Sequence, residues 1–163
     1  MMSSMHASKA LGIAMFALTL SSCKSQEEKL RATGVQPRTA EELKQEFIGN
    51  TVFGTTEVIG QPRIHYVVYY AIEGNKLYGQ AGESMAAALA TKEQLAVDEG
   101  SWAIEDGKLC NHWKQWMQKK KLCSFVYKVN DEYRGFNPEG ALVLKYWIKP
   151  GNPHGIGPAR KAP

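Results

Sequence analysis

The sequence predicts a mainly β protein in which an antiparallel meander of about eight strands closes as a small β-barrel. Short segments rich in β-branched and aromatic residues follow one another through tight turns, and Asp106-Gly107 is the clearest hairpin signal. Strands in meander order close most simply as a barrel, because closure removes the exposed strand edges. The predicted strands are residues 51–58, 63–72, 76–80, 101–105, 108–113, 121–129, 132–136 and 141–149.

A short helix is predicted before the first strand. Thr39 and Glu42 match a capping box, in which each side chain bonds the backbone amide of the other residue. Leu43, Phe47 and Ile48 then form one apolar stripe, and Gly49 follows where a helix commonly ends. We expect this helix to pack over one end of the barrel.

One segment interrupts the strand pattern. Residues 83–95 are rich in alanine, which favours a helical excursion from the barrel. Residues 85–90 carry no charge, so a lid over the barrel mouth is one interpretation. A helix packed on the outside of the sheet is the simpler alternative.

The N-terminus has the parts of an export signal. Lys9 supplies a weakly basic start, and residues 10–20 form an uncharged apolar run that is too short to span a bilayer. The run closes with Leu20-Ser21-Ser22-Cys23, which resembles the lipobox of bacterial lipoproteins. In those proteins the cysteine carries the lipid and the peptide is cut just before it. An ordinary secretory signal with an incidental cysteine is the alternative.

The lipobox resemblance implies a signal peptide over residues 1–22, lipidation of Cys23 and a stable membrane anchor. The next residue, Lys24, is not the aspartate that resembles an inner-membrane retention signal. The outer membrane, on its periplasmic face, is therefore favoured if the host is Gram-negative.

Composition divides the rest of the chain into three parts. Residues 23–38 are polar and predict a flexible, lipidated tether, and residues 39–149 predict the barrel domain. Residues 150–163 contain four prolines and three glycines and predict a tail without regular structure. The net charge of +4 is modest and scattered, and no nucleic-acid motif accompanies it.

The densest basic run is Lys119-Lys120-Lys121, between two predicted strands. A solvated loop tip is the default interpretation, and contact with anionic lipid headgroups or lipopolysaccharide phosphates is the alternative.

The cysteines fit an oxidising compartment. With Cys23 committed to lipid, Cys110 and Cys123 remain as an even pair on consecutive predicted strands, which favours a disulfide. A metal site formed by Cys110, His112 and Cys123, with His154 as a further ligand, is the alternative, but it lacks zinc-finger spacing. Alternation places Cys123 on the face opposite Leu122, with Phe125 and Tyr127 beside Cys123 and with Ser124 and Val126 beside Leu122.

A succession of motifs begins with the helix predicted at Thr39–Leu43. It continues with Gly49-Asn50-Thr51-Val52-Phe53-Gly54, Gly100-Ser101-Trp102, Gly107-Lys108-Leu109-Cys110 with Trp113 and Trp116, then Cys123, and finally Ile148 and Gly151-Asn152. This succession resembles the bacterial DUF995 family of small exported proteins of unassigned function. The resemblance covers roughly residues 39–157 and implies a lipocalin-like β-barrel. It supplies no catalytic residues. The alanine-rich insertion and the lipobox depart from the family pattern.

No catalytic pattern stands out in the sequence. His65 lies in an aromatic strand and His154 in the tail, while Ser84 and Ser101 lack a nucleophile-elbow context. The glycines form neither a phosphate loop nor a dinucleotide fingerprint. The four tryptophans, Trp102, Trp113, Trp116 and Trp147, are interpreted as core residues, although they would also suit a ligand cavity.

The favoured function is non-enzymatic binding of a small amphipathic ligand, or of a partner protein, by a membrane-anchored cell-envelope lipoprotein. No cofactor or metal is indicated. Candidate contacts are Trp113, Trp116, Lys119 and Lys120. An inhibitor of envelope-degrading enzymes is an alternative that needs a protruding loop at residues 116–120. A hydrolase is a further alternative that needs His65 or His112 beside a carboxylate or serine in one pocket.

Overall fold

The structure is a computed structural model that describes residues 24–90 and 97–158. Eight antiparallel strands pair in chain order and the last pairs with the first, so the predicted closed barrel is confirmed. The strands are β1 (Thr51–Thr56), β2 (His65–Tyr70), β3 (Lys76–Gly82), β4 (Val97–Glu105), β5 (Lys108–Trp113), β6 (Lys121–Val129), β7 (Glu132–Phe136) and β8 (Leu142–Lys149). The helices are α1 (Gln26–Arg31), α2 (Ala40–Phe47) and α3 (Met85–Ala90), and Trp116–Lys119 form a short 3₁₀ turn.

The tight turns follow the predicted turn chemistry. Asp106 and Gly107 connect β4 and β5, and both have positive φ, of 49° and 74°. A two-residue hairpin loop needs positive φ at both residues if its twist is to match that of the strands. Alternation then sends every second side chain into the barrel. On β6, Leu122, Ser124 and Val126 point inward, and Cys123 and Tyr127 point outward. The predicted division of these residues between two faces is confirmed.

Helix α2 closes one end of the barrel. Its capping box is present, because Thr39 and Glu42 exchange backbone hydrogen bonds. Leu43 and Phe47 are fully buried, with 0% and 1% of their surface exposed. The ring of Phe47 packs edge-on against Tyr70, Tyr133 and Tyr146, with ring centroids 5.2, 6.1 and 5.8 Å apart. The apolar side of α2 that the sequence predicted therefore fills this end of the barrel.

Helix α3 packs on the outside of the barrel against β2 and β3. Ala88 is fully buried in a small cluster with the outward-facing side chains of Phe53 and Val67. The lid interpretation is therefore wrong for residues 85–90, and the outer-sheet alternative is confirmed. The last part of the predicted excursion, residues 91–95, lies outside the described residues.

The predicted flexible tether is wrong for residues 25–38. Ser25 and Glu28 form a second capping box that starts α1. Tyr127 on the outer face of β6 donates a hydrogen bond to the carboxylate of Glu27, and the amide of Arg38 donates to the carbonyl of Val126. These bonds hold the segment along the barrel wall. Cys23 itself, like the whole predicted signal peptide, lies outside the described residues.

The tail contains no helix or strand over residues 150–158, as predicted, but it packs on the barrel as far as it is described. Thr51 donates to the carbonyl of Gly151 over 2.7 Å, and Asn152 exchanges two hydrogen bonds with Ile156. Ile156 is 3% exposed and joins the cluster beneath α3.

Among the described residues, no helix is long and apolar enough to cross a membrane.

Candidate ligand-binding cavity

The barrel encloses a cavity of about 350 Å³. In an antiparallel meander alternate connections gather at one end. Here they are residues 57–64, 114–120, 137–141 and the described part, residues 83–90, of the connection between β3 and β4, and we call this end the open end. Helix α2 covers the other, closed end. The cavity wall is formed by Phe47, Val52, Thr56, Ile64, Tyr66, Val68, Tyr70, Ala81, Leu109, Asn111, Trp113, Trp116, Met117, Leu122, Ser124, Leu144 and Tyr146.

The cavity opens toward solvent between two connections. Ile64 precedes β2 and Met117 lies in the 3₁₀ turn, and they are 45% and 46% exposed although both line the cavity. At the floor, by contrast, Phe47 is 1% exposed. A ligand therefore has access from the open end and reaches its deepest point against α2 and the tyrosines that surround it.

Polar groups are concentrated at the floor. The amide nitrogen of Asn111 donates to the phenol oxygen of Tyr70 over 2.8 Å, which leaves the Tyr70 proton available to another acceptor. The amide oxygen of Asn111 and the phenol oxygen of Tyr146 are buried, with no hydrogen-bond partner among the described residues. Buried polar atoms are normally paired, so these atoms favour a bound molecule that carries its own polar group.

The cavity wall carries no charged side chain among the described residues. Burial raises the pKa of the phenols of Tyr66, Tyr70 and Tyr146 above their ordinary value, and the neighbouring phenols raise that of Tyr146 further. All three stay protonated at neutral pH and can donate an O–H hydrogen bond. None of the described residues that form the wall is a lysine, arginine, histidine, aspartate or glutamate.

Two tryptophans form the upper wall. Trp113 on β5 and Trp116 pack together with ring centroids 4.6 Å apart, over the backbone of Gly79 on β3. A Cβ atom at Gly79 would lie 2.6 Å from the ring of Trp116 and 2.7 Å from that of Trp113, closer than real Cβ atoms come. Glycine is therefore required at this position for both rings to close the wall.

Asp98 holds the connection that carries Trp116. Its side chain on β4 is 4% exposed and accepts hydrogen bonds from the backbone amides of Glu99, Gln115 and Trp116, over 2.8, 2.9 and 2.7 Å. Charge-assisted bonds of this kind are roughly twice as strong as neutral ones. The buried carboxylate thus positions a part of the cavity wall without facing the cavity.

The turn beyond Trp116 is left-handed. Met117, Gln118 and Lys119 have φ of 53°, 54° and 59°, a region that costs L-residues about 1–2 kcal/mol each. The amide of Lys120 donates to the carbonyl of Met117, and His112 Nε2 lies 3.0 Å from the carbonyl oxygen of Lys119. Successive strained residues are typical of functional segments, and these residues place Met117 at the cavity opening.

The predicted histidine sites do not converge. His65 faces outward on β2, His112 faces outward on β5 next to the carbonyl of Lys119, and His154 packs against the ring of Phe53. Ser84 caps α3 through the amide of Ala87. The arrangement required for the hydrolase alternative is thus not present among these residues.

The cysteine prediction is confirmed as the disulfide Cys110–Cys123, which links directly opposed residues of β5 and β6 on the outer wall. Glu105 lies near these sulfur atoms, but sulfur atoms joined to each other are not thiolate ligands. His154 lies beside β1, against Phe53, rather than beside the cysteines. The metal alternative is therefore wrong for these four residues.

The four candidate contact residues separate into two groups. Trp113 and Trp116 line the cavity, whereas Lys119 and Lys120 are exposed on the connection at the open end. Trp102 is buried in the core beside Tyr70, but Trp147 faces outward and is 43% exposed. The core assignment is therefore wrong for Trp147, because its parity on β8 is opposite to that of Tyr146 in the cavity wall.

Sequence reasoning did not single out the polar floor. The floor residues Tyr70, Asn111 and Tyr146 point inward only because of the register of three strands. The available signal was alternation, since Tyr66, Val68 and Tyr70 share one face of β2. Only the pairing of Val52 with Val68 and Ile148 decides which face is the interior.

Searches with this chain against protein-family models, curated proteins and solved structures returned no match. The cavity therefore has to be interpreted from its own chemistry.

Proposed function

We propose that this protein is a membrane-anchored cell-envelope lipoprotein whose barrel binds a small, uncharged, amphipathic molecule and does not catalyse a reaction. The observation that carries the proposal is the cavity, which is apolar at its opening and has neutral hydrogen-bonding groups at its floor. Its volume is at the lower limit for small-molecule sites, which favours a compact ligand. Anchoring through Cys23 and kinship with the DUF995 family are part of the proposal.

The floor selects the polar group of the ligand. A hydroxyl or amide could donate to the Asn111 amide oxygen and accept from the phenol of Tyr70 or Tyr146. A carboxylate or ammonium would lose its hydration without gaining an opposite charge, which is strongly unfavourable. The remaining chain of the ligand would extend past Leu144 and Leu122 toward Ile64 and Met117, with apolar contacts throughout.

The 116–120 connection does not favour the inhibitor alternative. That alternative requires the loop to project its aromatic side chain into the cleft of another enzyme. Instead Trp116 lies on Trp113 in the cavity wall, and the amide of Trp116 is held by Asp98. The position of Trp116 is that of a residue in the wall of a ligand site, and it does not project from the barrel as an inhibitory loop would require.

The test is displacement of a neutral fluorescent probe such as N-phenyl-1-naphthylamine. We expect one probe to bind per chain and a medium-chain alcohol to displace it at lower concentration than the carboxylate of equal chain length at pH 8. Tyr70→Phe should weaken displacement by the alcohol about threefold to tenfold, the value of one hydrogen bond. Tyr69→Phe removes the same group from the outer face of the same strand and should have no effect.

Two results would remove the proposal. One is a chain that binds no probe and carries no small molecule in native mass spectrometry. The other is equal displacement by alcohol and carboxylate combined with equal effects of Tyr70→Phe and Tyr69→Phe, since the polar floor would then play no part in recognition.

A further inference from the structure

Apolar side chains are concentrated around the open end. Six large apolar residues in the described part of the chain are notably exposed, and four of them surround this end. We call these four residues the rim. Their exposed fractions are 43% for Val58, 88% for Ile59, 45% for Ile64 and 46% for Met117. The rim borders the cavity directly, because Ile64 and Met117 also line it. Clustered exposed apolar residues of this kind indicate an interaction surface.

Basic side chains accompany the rim. Lys119 and Lys120 follow Met117 on the same connection, are exposed, and form no ion pair with other described residues. Arg63 is also exposed at this end, but it is paired with Glu57. Apolar residues that enter the lipid boundary, with lysines at headgroup level, are the combination by which proteins bind anionic bilayer surfaces.

The N-terminal segment reaches the barrel at the same end. The amide of Glu27 donates to the carbonyl of Gly140 over 3.1 Å, and the amide of Leu142 donates to the side chain of Gln26 over 2.8 Å. Gly140 lies in the connection between β7 and β8, at the open end. Ser25 packs against Gly140, and only Lys24 separates Ser25 from Cys23 in the sequence.

The short distance along the chain from Cys23 to Ser25 limits how the barrel can be oriented on a membrane. Two residues span at most about 7 Å, so an anchor at Cys23 would hold the membrane within roughly 10 Å of the open end. The closed end is the length of the barrel away, and the other two exposed large apolar side chains of the described residues, Ile72 and Trp147, lie at or near it. Both the rim and the chain path therefore point to the same surface.

We propose that the open end docks on the bilayer, with the rim inserted at the lipid boundary and the lysines on anionic headgroups. The cavity then faces the lipid, so that an amphipathic molecule passes between the bilayer and the barrel without crossing water. The cargo and the anchor at Cys23 rest on the proposed function, whereas the exposed rim and its lysines are independent of it.

The experiment uses the chain from Cys23 onward, which contains every described residue. Since Cys110 and Cys123 are bonded to each other, Cys23 is the one free thiol and can be coupled to a maleimide lipid in vesicles containing phosphatidylglycerol and brominated phospholipid. Ile59→Trp places a reporter on the rim. Ile72→Trp places the matched reporter at the closed end, and each is compared with the parent chain.

We expect brominated lipid to quench the added fluorescence of Ile59→Trp at least twofold more than that of Ile72→Trp. In the untethered Cys23→Ser chain, Ile59→Ser should weaken partition onto the same vesicles about tenfold, and Ile72→Ser should not change it. Equal quenching at both positions, or stronger quenching at position 72, would overturn the docking proposal.

The same vesicles separate this inference from the proposed function. Asymmetric quenching in a chain that binds no probe would retain the docking and reject the ligand. Probe binding with symmetric quenching would retain the ligand and reject the docking. Chemical coupling of Cys23 makes the result independent of whether cells attach the lipid.

Discussion

Replacing Gly79 by alanine should disturb the upper wall of the cavity. The new methyl would lie 2.6 and 2.8 Å from ring atoms of Trp116 and 2.7 Å from one of Trp113, where ordinary contact needs about 3.4 Å or more. The rings must move by several tenths of an ångström in a wall that β5 and Asp98 hold in place. Overpacking of this kind costs about 1–3 kcal/mol.

The assay is denaturant unfolding followed by tryptophan fluorescence, together with the thermal midpoint. A cost of 1–3 kcal/mol corresponds to a lower midpoint by roughly 4–12 °C for a domain of this size. The emission of the folded state should also change, because the tilted ring pair that the methyl displaces contains two of the four tryptophans. Gly157→Ala is the control, since the nearest heavy atom to its new methyl is 3.9 Å away.

A double-mutant cycle identifies the cause. In a Trp116→Ala background the clash with Trp116 is gone, so Gly79→Ala should cost less than in the parent chain, although the contact with Trp113 remains. An unchanged stability of Gly79→Ala, or an equal cost in both backgrounds, would show that the two tryptophans do not close the wall over Gly79.

Three further predictions concern stability. Replacing both cysteines of the disulfide by alanine should lower the free energy of unfolding by about 3 kcal/mol in denaturant titration, because the bridge spans 13 residues and restricts the unfolded chain. Gln118→Gly should raise the free energy of unfolding by about 0.5–1 kcal/mol, because glycine adopts a positive φ without steric cost. Part of that gain is lost, since glycine has more backbone entropy to lose on folding. The buried cavity phenols, Tyr70 among them, have a raised pKa, so stability should be independent of them below about pH 10 and fall above it, as the unfolded chain ionises first.

Each of these has a contrasting measurement. Adding a reductant should have no effect once the cysteines are replaced. Gln115→Gly, at φ −124°, should destabilise the chain, and a gain there equal to that of Gln118→Gly would contradict the strain argument. The appearance of phenolate absorbance can be compared with unfolding, and ionisation of all seven tyrosines in the folded barrel near pH 10 would contradict their burial.

Local sequence patterns predicted most of the barrel correctly. Strands β5, β6 and β7 begin and end at the predicted residues, because Asp106-Gly107 and Asn130 supply the positive φ that tight turns require. Helix α2 was also predicted, because its capping box and apolar stripe lie within a few residues of each other. These signals are local, so a single sequence contains them.

The segments outside the barrel were predicted less well, although a usable signal was present. Ser25 and Glu28 have the same capping spacing as Thr39 and Glu42, yet the polar composition favoured a tether. Polar composition describes the exposed side of α1, whereas its attachment depends on Tyr127 and on the backbone of Gly140, both more than 90 residues away in the sequence. Composition does not report contacts at that separation.

Local sequence patterns were sufficient to predict the strand order, the turns, the pairing of the two cysteines, the packing of α2 over one end, and the expectation of an anchored, exported chain. They did not predict that the interior is a cavity with a polar floor, or that α1 attaches at the open end. Turns and caps depend on neighbouring residues, which a single sequence contains. A cavity instead depends on register around a closed sheet, where Tyr70, Asn111 and Tyr146 meet only after eight strands have paired.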